Sequence, residues 1–275
     1  TFANSGLTEI TVPEGVTKIG YSAFLNCTQL TSVRLPSTLT EMEVYAFDNT
    51  ALENSESNWE QNALYLDGWL VQTKAGTETQ LTVKDGTVGM AEKALAENET
   101  LQSVTLPASL KHLYENPFSA CEALTQITVK PGSSAFSSSN GVLYSQDRTA
   151  LLAYPRSKDD SSFVIPESVT VIRKNAFSDN SLLAQITFPA GLKDIQPNAF
   201  YSCSALQQVT LPDGFTQIGN SAFQDCTALE EAYIPGSVSV IGESAFQNCT
   251  LTRLTLSEGI RTILRCAFMH NPSLA

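Results

Sequence analysis

Two histidines, six cysteines and a serine pentapeptide that occurs three times hold most of the nucleophilic and metal-binding potential of this 275-residue chain. His112 lies in Leu110-Lys-His-Leu113 and His270 lies near the C-terminal end. Neither has Asp, Glu, Cys or a second His at the spacing a metal site or a triad needs, so both read as solvated surface side chains. There is no His-Glu-x-x-His, no Cys-x-x-Cys and no glycine-rich phosphate loop. Gly20-Tyr-Ser22-Ala-Phe24, Gly219-Asn-Ser221-Ala-Phe223 and Gly242-Glu-Ser244-Ala-Phe246 begin like a nucleophile elbow, but the fifth residue is Phe where that motif has Gly. A catalytic serine is needed once, and a pentapeptide used three times is better explained by packing. These residues predict no catalytic centre, no metal and no cofactor.

The cysteines lead from chemistry to architecture. Cys27, Cys121, Cys203, Cys226 and Cys249 each follow a Phe by three residues, and Cys266 precedes one by two. They form a column in a repeat. Three adjacent members cannot all pair, so the column predicts free buried thiols, which behave as small hydrophobes. The repeat is plainest in Leu206-Gln-Gln-Val209-Thr-Leu211-Pro212-Asp-Gly-Phe215-Thr-Gln-Ile218-Gly219-Asn-Ser-Ala222-Phe223-Gln-Asp-Cys226-Thr-Ala, a unit of 23 positions. Phe24 and Phe47, then Phe177, Phe200, Phe223 and Phe246, keep that spacing; Phe2 and Phe268 fall one residue short of it, and Leu95 and Phe118 fill the same slot. A period in this range predicts a solenoid of stacked coils.

One coil follows from its spacing. Val209 and Leu211 point to one side of a strand because side chains alternate with period two. Pro212 cannot donate to a ladder and ends the strand. Phe215 and Ile218 form a second inward edge, and Ala222 with Phe223 closes the coil, with a turn or two of helix expected there. A single coil cannot bury its apolar rims, so stability comes from each coil and its neighbours. The fold class predicted is a mainly β repeat solenoid of right-handed leucine-rich coils, forming one domain over 1–275.

Lys and Arg number 16 against 28 Asp and Glu, a net charge of −12. That balance disfavours nucleic acid and anionic membrane as partners. Hydrophobic residues make up 42% of the chain, ordinary for a folded protein, and no apolar run is long enough to span a bilayer. The chain starts and stops inside a repeat, which reads as a mature or trimmed segment.

The pattern breaks twice, at about 53–80 and about 130–162. In the first, Asp67-Gly68 between Leu64-Tyr65-Leu66 and Trp69-Leu70-Val71 predicts a β-hairpin. In the second, 133–140 is serine-rich and reads as a loop, and Gly141-Val-Leu143-Tyr144 and Leu151-Leu152-Ala153-Tyr154 flank a turn at 145–149. Both breaks fall at one phase of the repeat, so both read as hairpins replacing part of a coil.

The strand ending in proline, the Ala-Phe-x-x-Cys closure and the Gly-Val-Leu-Tyr hairpin together resemble the BspA-like leucine-rich-repeat family. The resemblance implies a secreted or surface-anchored bacterial protein, found extracellularly or on the cell surface. It also implies adhesion to a host or neighbouring-cell protein or glycan. No catalytic residue is carried over with it. The alternative it leaves is a passive spacer projecting another domain.

Binding is expected on the outward side of the first strand or on the hairpins. The outward residue between the strand's two apolar positions is Thr11, Thr105, Thr128, Thr187, Thr210 and Thr255, a row that β-propensity alone explains. Arg34 and Tyr233 interrupt the row, and Glu230, Glu231 and Arg253 lie beside Tyr233 in adjoining coils. Trp59 and Trp69, the only tryptophans, sit in the first interruption, where Trp69 is also a candidate cover for the core. Tyr, Trp and Arg are favoured interface anchors. Asn26-Cys-Thr28, Asn98-Glu-Thr100 and Asn248-Cys-Thr250 match glycosylation sequons, two of them generated by the repeat's own turn.

Overall fold

A computed structural model describes every residue except Ala75, Thr77, Glu97, Ser119 and Ala275. The chain forms two compact units, one of 1–122 with 129–135, the other of 123–128 with 136–275. Each is a β solenoid of the predicted repeat, and the described helix is limited to Ala51–Asn54 and the 3-10 turn Glu56–Asn58.

In the second unit the coil has three sides. The first strands stack in parallel: Ser162–Val164 on Gln185–Thr187, and Gln208–Thr210 on Glu231–Ile234 on Arg253–Leu256. Proline ends the strand as predicted, and its carbonyl then accepts from the amide three residues on, as Pro189 does from Leu192 and Pro212 from Phe215. The second side is the parallel series Val171–Ile172, Asp194–Ile195, Gln217–Ile218, Val240–Ile241 and Thr262–Ile263. Gly219 and Gly242 follow this strand because the coils touch there. A Cβ on Gly242 would lie 2.5 Å from the Gly219 carbonyl oxygen, closer than packed atoms tolerate.

The third side is the Ala-Phe closure, and it is not helical. Two left-handed residues bracket each Phe, two positions before and two after: Ser221 and Asp225 around Phe223, Ser244 and Asn248 around Phe246, Asn198 and Ser202 around Phe200. The chain makes successive tight turns there, and its amides bond to the next coil instead of along a helix. Phe200 N donates to Ala222 O at 2.8 Å, and Phe223 N to Ala245 O at 2.8 Å. The backbone groups of this segment are therefore satisfied coil to coil.

The phenylalanines line up inside. Centroids of Phe177 and Phe200 lie 4.6 Å apart, Phe200 and Phe223 5.0 Å, and Phe223 and Phe246 5.0 Å, with planes within 15° of parallel. The first unit has its own file of Phe2, Phe24 and Phe47. Its parallel strands Glu9–Thr11 and Ser32–Arg34, and Gln80–Thr82 and Ser103–Leu106, repeat the first-side pattern.

Both interruptions are hairpins, each larger by one strand than predicted. Trp59–Glu60, Ala63–Leu66 and Trp69–Thr73 run antiparallel in the first, turning at Gln61-Asn62 and at Asp67-Gly68, all with positive φ. Phe136–Ser139, Val142–Ser145 and Ala150–Ala153 do so in the second. The serine-rich stretch expected as a loop thus contributes a strand, and Asn140-Gly141 is its turn, a dipeptide suited to positive φ. In both, the last strand joins the parallel second side, Trp69–Thr73 on Gly89–Met90 and Ala150–Ala153 on Val171–Ile172. Each hairpin replaces part of a coil.

Candidate functional site

The outward face of the first strands carries the predicted cluster. In register across the second unit, Gln208 faces Glu231 and Glu231 faces Arg253, while Thr210 faces Tyr233 and Tyr233 faces Thr255. Arg253 Nη1 lies 2.8 Å from Glu231 Oε1. The Tyr233 hydroxyl is 3.3 Å from Ser257 Oγ, and its ring is half-buried. Glu230 is exposed and shares with Glu231, Gln185, Gln208 and Thr210 the wall of an open groove of about 410 Å³. Glu230, Glu231, Tyr233 and Arg253 are brought together because adjoining coils pair in register. Arg34 belongs to the first unit, exposed and opposite Thr11.

The two tryptophans part ways. Trp69 is 1% exposed and offers no surface to a partner, which corrects its reading as a contact residue. Its indole fills the space left by Gly89, where a Cβ would lie 2.6 Å from the ring, and it stacks on His112 with centroids 6.2 Å apart. His112 is accordingly half-buried rather than solvated, and burial, with the nearby Lys111 charge, lowers its pKa. Trp59 remains half-exposed. Its Nε1 donates to the Glu53 carbonyl at 2.7 Å, and the Lys74 ammonium stands 4.3 Å above its ring.

Trp59 walls a cleft of about 470 Å³ in the first unit, with Tyr45, Asp48, Glu53, Gln72 and Lys74 among its lining. Glu53 Oε1 accepts from Gln72 Nε2 at 2.7 Å, and Lys74 Nζ lies 3.3 Å from Glu56 Oε1. No hydrogen-bond donor among the described residues reaches the Asp48 carboxylate. Burial, and then the Glu53 charge, push its pKa up. Sequence reasoning missed Tyr45 and Asp48. The available signal was Tyr45 itself, a bulky residue in the slot two before Phe where other coils place Ser22, Asn175, Asn198, Ser221 and Ser244.

The remaining chemical candidates are structural. Cys27, Cys121, Cys203, Cys226 and Cys249 are free and buried. Each thiol points at the carbonyl of the preceding closure: Cys226 Sγ to Phe200 O at 3.1 Å, Cys249 Sγ to Phe223 O at 3.2 Å, Cys121 Sγ to Leu95 O at 3.4 Å. Where Asn271 holds the slot, its Nδ2 makes the same bond to Phe246 O at 2.8 Å. The column is therefore one of hydrogen-bond donors. Burial pushes the Cys121 thiol up to about 12, and burial, then the neighbouring Cys203, also raises Cys226. The pentapeptide serines Ser22, Ser221 and Ser244 all occupy the left-handed slot, as a packing role requires. Asn98 is buried, bonded to Thr73 Oγ1, and unavailable to a glycosylating enzyme. His270 Nδ1 is 2.8 Å from Asn248 Oδ1. Among the described residues, no group of three His, Cys, Asp or Glu could hold a metal ion, and no helix is long and apolar enough to cross a membrane.

The family model of the BspA type leucine rich repeat region matches 1–64, 76–144 and 153–275, in six copies. The chain belongs to the BspA-type leucine-rich repeat family. No curated protein matches this BspA-type chain in sequence. Among solved structures, a leucine-rich repeat protein from Eubacterium ventriosum superposes with a TM-score of 0.64 at 21% identity, over 96% of this chain and 82% of that one. The pneumococcal vaccine antigen PcpA gives 0.49 at 19% identity, over 93% and 67%. A leucine rich cell surface protein from Faecalibacterium prausnitzii gives 0.46 at 25% identity, over 92% and 80%. The first of these bears out the solenoid fold.

Proposed function

We propose that this BspA-type chain is a binding module rather than an enzyme, displayed outside the bacterial cell, and that a protein of a host or neighbouring cell is its partner. The partner meets the outward sheet face of the second unit. The observation that carries this reading is the cluster of Glu231, Tyr233 and Arg253 on adjoining strands, with Glu230 just before the first, beside a groove otherwise lined by Gln, Thr and Ile186. A half-buried Tyr supplies a rigid anchor, and the Glu–Arg pair supplies charges whose partners set register. Repeat solenoids present such faces because each coil adds one row. The extracellular placement rests on the family.

The test is binding of the folded chain to immobilised mucosal and matrix proteins at moderate salt. At least one should bind saturably, and Tyr233→Ala should weaken it by roughly tenfold, about 1.4 kcal/mol, while the unfolding midpoint stays unchanged. A wild-type chain that binds none of them favours the passive spacer. Binding that survives both Tyr233→Ala and Glu230→Lys would move the site off this face.

A further inference from the structure

We propose that the cleft lined by Tyr45 and Trp59 in the first unit is a second, separate site, and that it takes a neutral saccharide. Tyr45 is the first reason. It holds a φ of 61°, a left-handed conformation in which a bulky side chain is out of place. Its counterparts in other coils are mostly Ser or Asn. The core does not require it, since Tyr45 is 48% exposed and its ring lies edge-on to Tyr21 with centroids 5.8 Å apart. Strained positions of this kind persist where the side chain is needed for something other than folding.

The second reason is that Trp59 lines the same cleft. Trp59 is oriented by its bond to the Glu53 carbonyl and is half-exposed. Two aromatic rings lining one cleft suit the C–H faces of a pyranose, while the polar groups that line it with them suit its hydroxyls. Asp48 is an acceptor that no described donor satisfies, and Gln72 and Lys74 bring donors. The cleft volume of about 470 Å³ lies in the usual range for small-ligand sites.

Charge selects the class of sugar. The place over Trp59 where a cationic guest would sit is already held by Lys74, paired to Glu56. The charged lining as a whole is Glu43, Asp48, Glu53, Glu56 and Glu92 against Lys74 and Lys93, acidic on balance, so a uronic acid or sialic acid is disfavoured. A neutral polyhydroxylated ring fits both conditions.

The two tryptophans give the test its readout. Trp69 is buried, so a change of indole fluorescence on adding ligand reports Trp59. Titrating the full chain with neutral hexose and N-acetylhexosamine oligomers should give a saturable change for at least one of them, and uronic-acid oligomers of equal length should give none. Asp48→Asn and Tyr45→Gly should each weaken binding by roughly tenfold, the scale of one such contact. Tyr45→Gly should do so without lowering the melting midpoint, because glycine accepts the left-handed backbone. Tyr233→Ala, on the sheet face of the other unit, should leave the sugar titration untouched, so the two sites fail or stand separately. No saturable response to any neutral oligomer overturns the proposal. So does a response retained in Tyr45→Gly, or one given by tetramethylammonium and not by sugars.

Discussion

The two hairpins are built alike and return different residues to the coil. Aligned by their pairing with the next parallel strand, Leu70 corresponds to Leu151, Thr73 to Tyr154 and Trp69 to Ala150. In the second unit Tyr154 enters the aromatic file, 4.8 Å from Phe177. In the first, Thr73 stands there and makes polar contacts instead: its hydroxyl donates to Ala94 O at 2.9 Å and accepts from Asn98. The bulk moves to the other end of the strand, where Trp69 lies against Gly89 while Ala150 lies against Val171. A large residue on one strand is matched by a small one on the next, in opposite order. One backbone plan therefore tolerates two packings, and the packing that sends its aromatics away from the file leaves Trp59 at a cleft.

The largest expected effect tests the aromatic file. Tyr154→Ala should cost about 3–5 kcal/mol, as truncation of a buried aromatic does. Thr73→Ala should cost about 1–3 kcal/mol, because it leaves the buried Asn98 amide short of a partner. Urea unfolding of each variant measures the difference, and equal losses would mean the file contributes no more than a hydroxyl does.

The Trp69–Gly89 pair comes next. Gly89→Ala drives a methyl to within 2.6 Å of a buried ring, and overpacking of this kind costs about 1–3 kcal/mol. Replacing the pair by that of the second unit, Trp69→Ala with Gly89→Val, should recover part of the loss. A double variant no better than the sum of the singles would show that the match across the strands is not the constraint.

Much of this was legible because the repeat multiplies weak signals. The Phe slot, the cysteine column, the terminating prolines and the Asp67-Gly68 turn each follow from residues acting within one coil or at one period. What was hidden depends on register between distant residues. Trp69 was legible as a cover for the core, and it is buried, but nothing near it in sequence says that Gly89 makes the room. The strand Phe136–Ser139 was obscured by serine, whose strand role comes from the hairpin it completes. The Ala-Phe closure was expected to wind into helix, yet its amides find their partners in the adjacent coil. Left-handed preferences of Ser, Asn and Asp are individually faint, and they become readable only when stacked. The cleft was least legible of all, since Asp48, Trp59 and Lys74 meet only after the hairpin has folded back.

The thiol column separates the units by pH. A thiol held protonated by burial favours the folded state fully below its unfolded pKa, near 9. Above it the unfolded chain loses the proton first, so stability falls as pH rises toward the folded value of about 12 for Cys121. The slope approaches about 1.4 kcal/mol per pH unit for each such thiol. Cys226 and Cys249 are both raised in the second unit, so its stability should fall more steeply above pH 9 than that of the first. Unfolding followed by denaturant from about pH 8 to about pH 11 checks this. Cys226→Ser should flatten the curve while keeping a donor for Phe200 O.

The smallest effect lies on the surface. Glu231 and Arg253 are an exposed pair, 72% open on the Arg side, and in water such a pair gives about 0–1 kcal/mol. Arg253→Ala should therefore leave unfolding almost unchanged, as should Lys84→Ala, which breaks the exposed contact to Glu60 at 2.6 Å in the first hairpin. The comparison becomes informative in binding. Removing Arg253 frees Glu231 on the proposed docking face, so association with a protein partner should change its rate and salt dependence. Removing Lys84 should not, since its carboxylate partner lies on the other unit. If Arg253→Ala destabilised the second unit by several kcal/mol, the pair would be a structural tie, and its place among the contact residues would be lost.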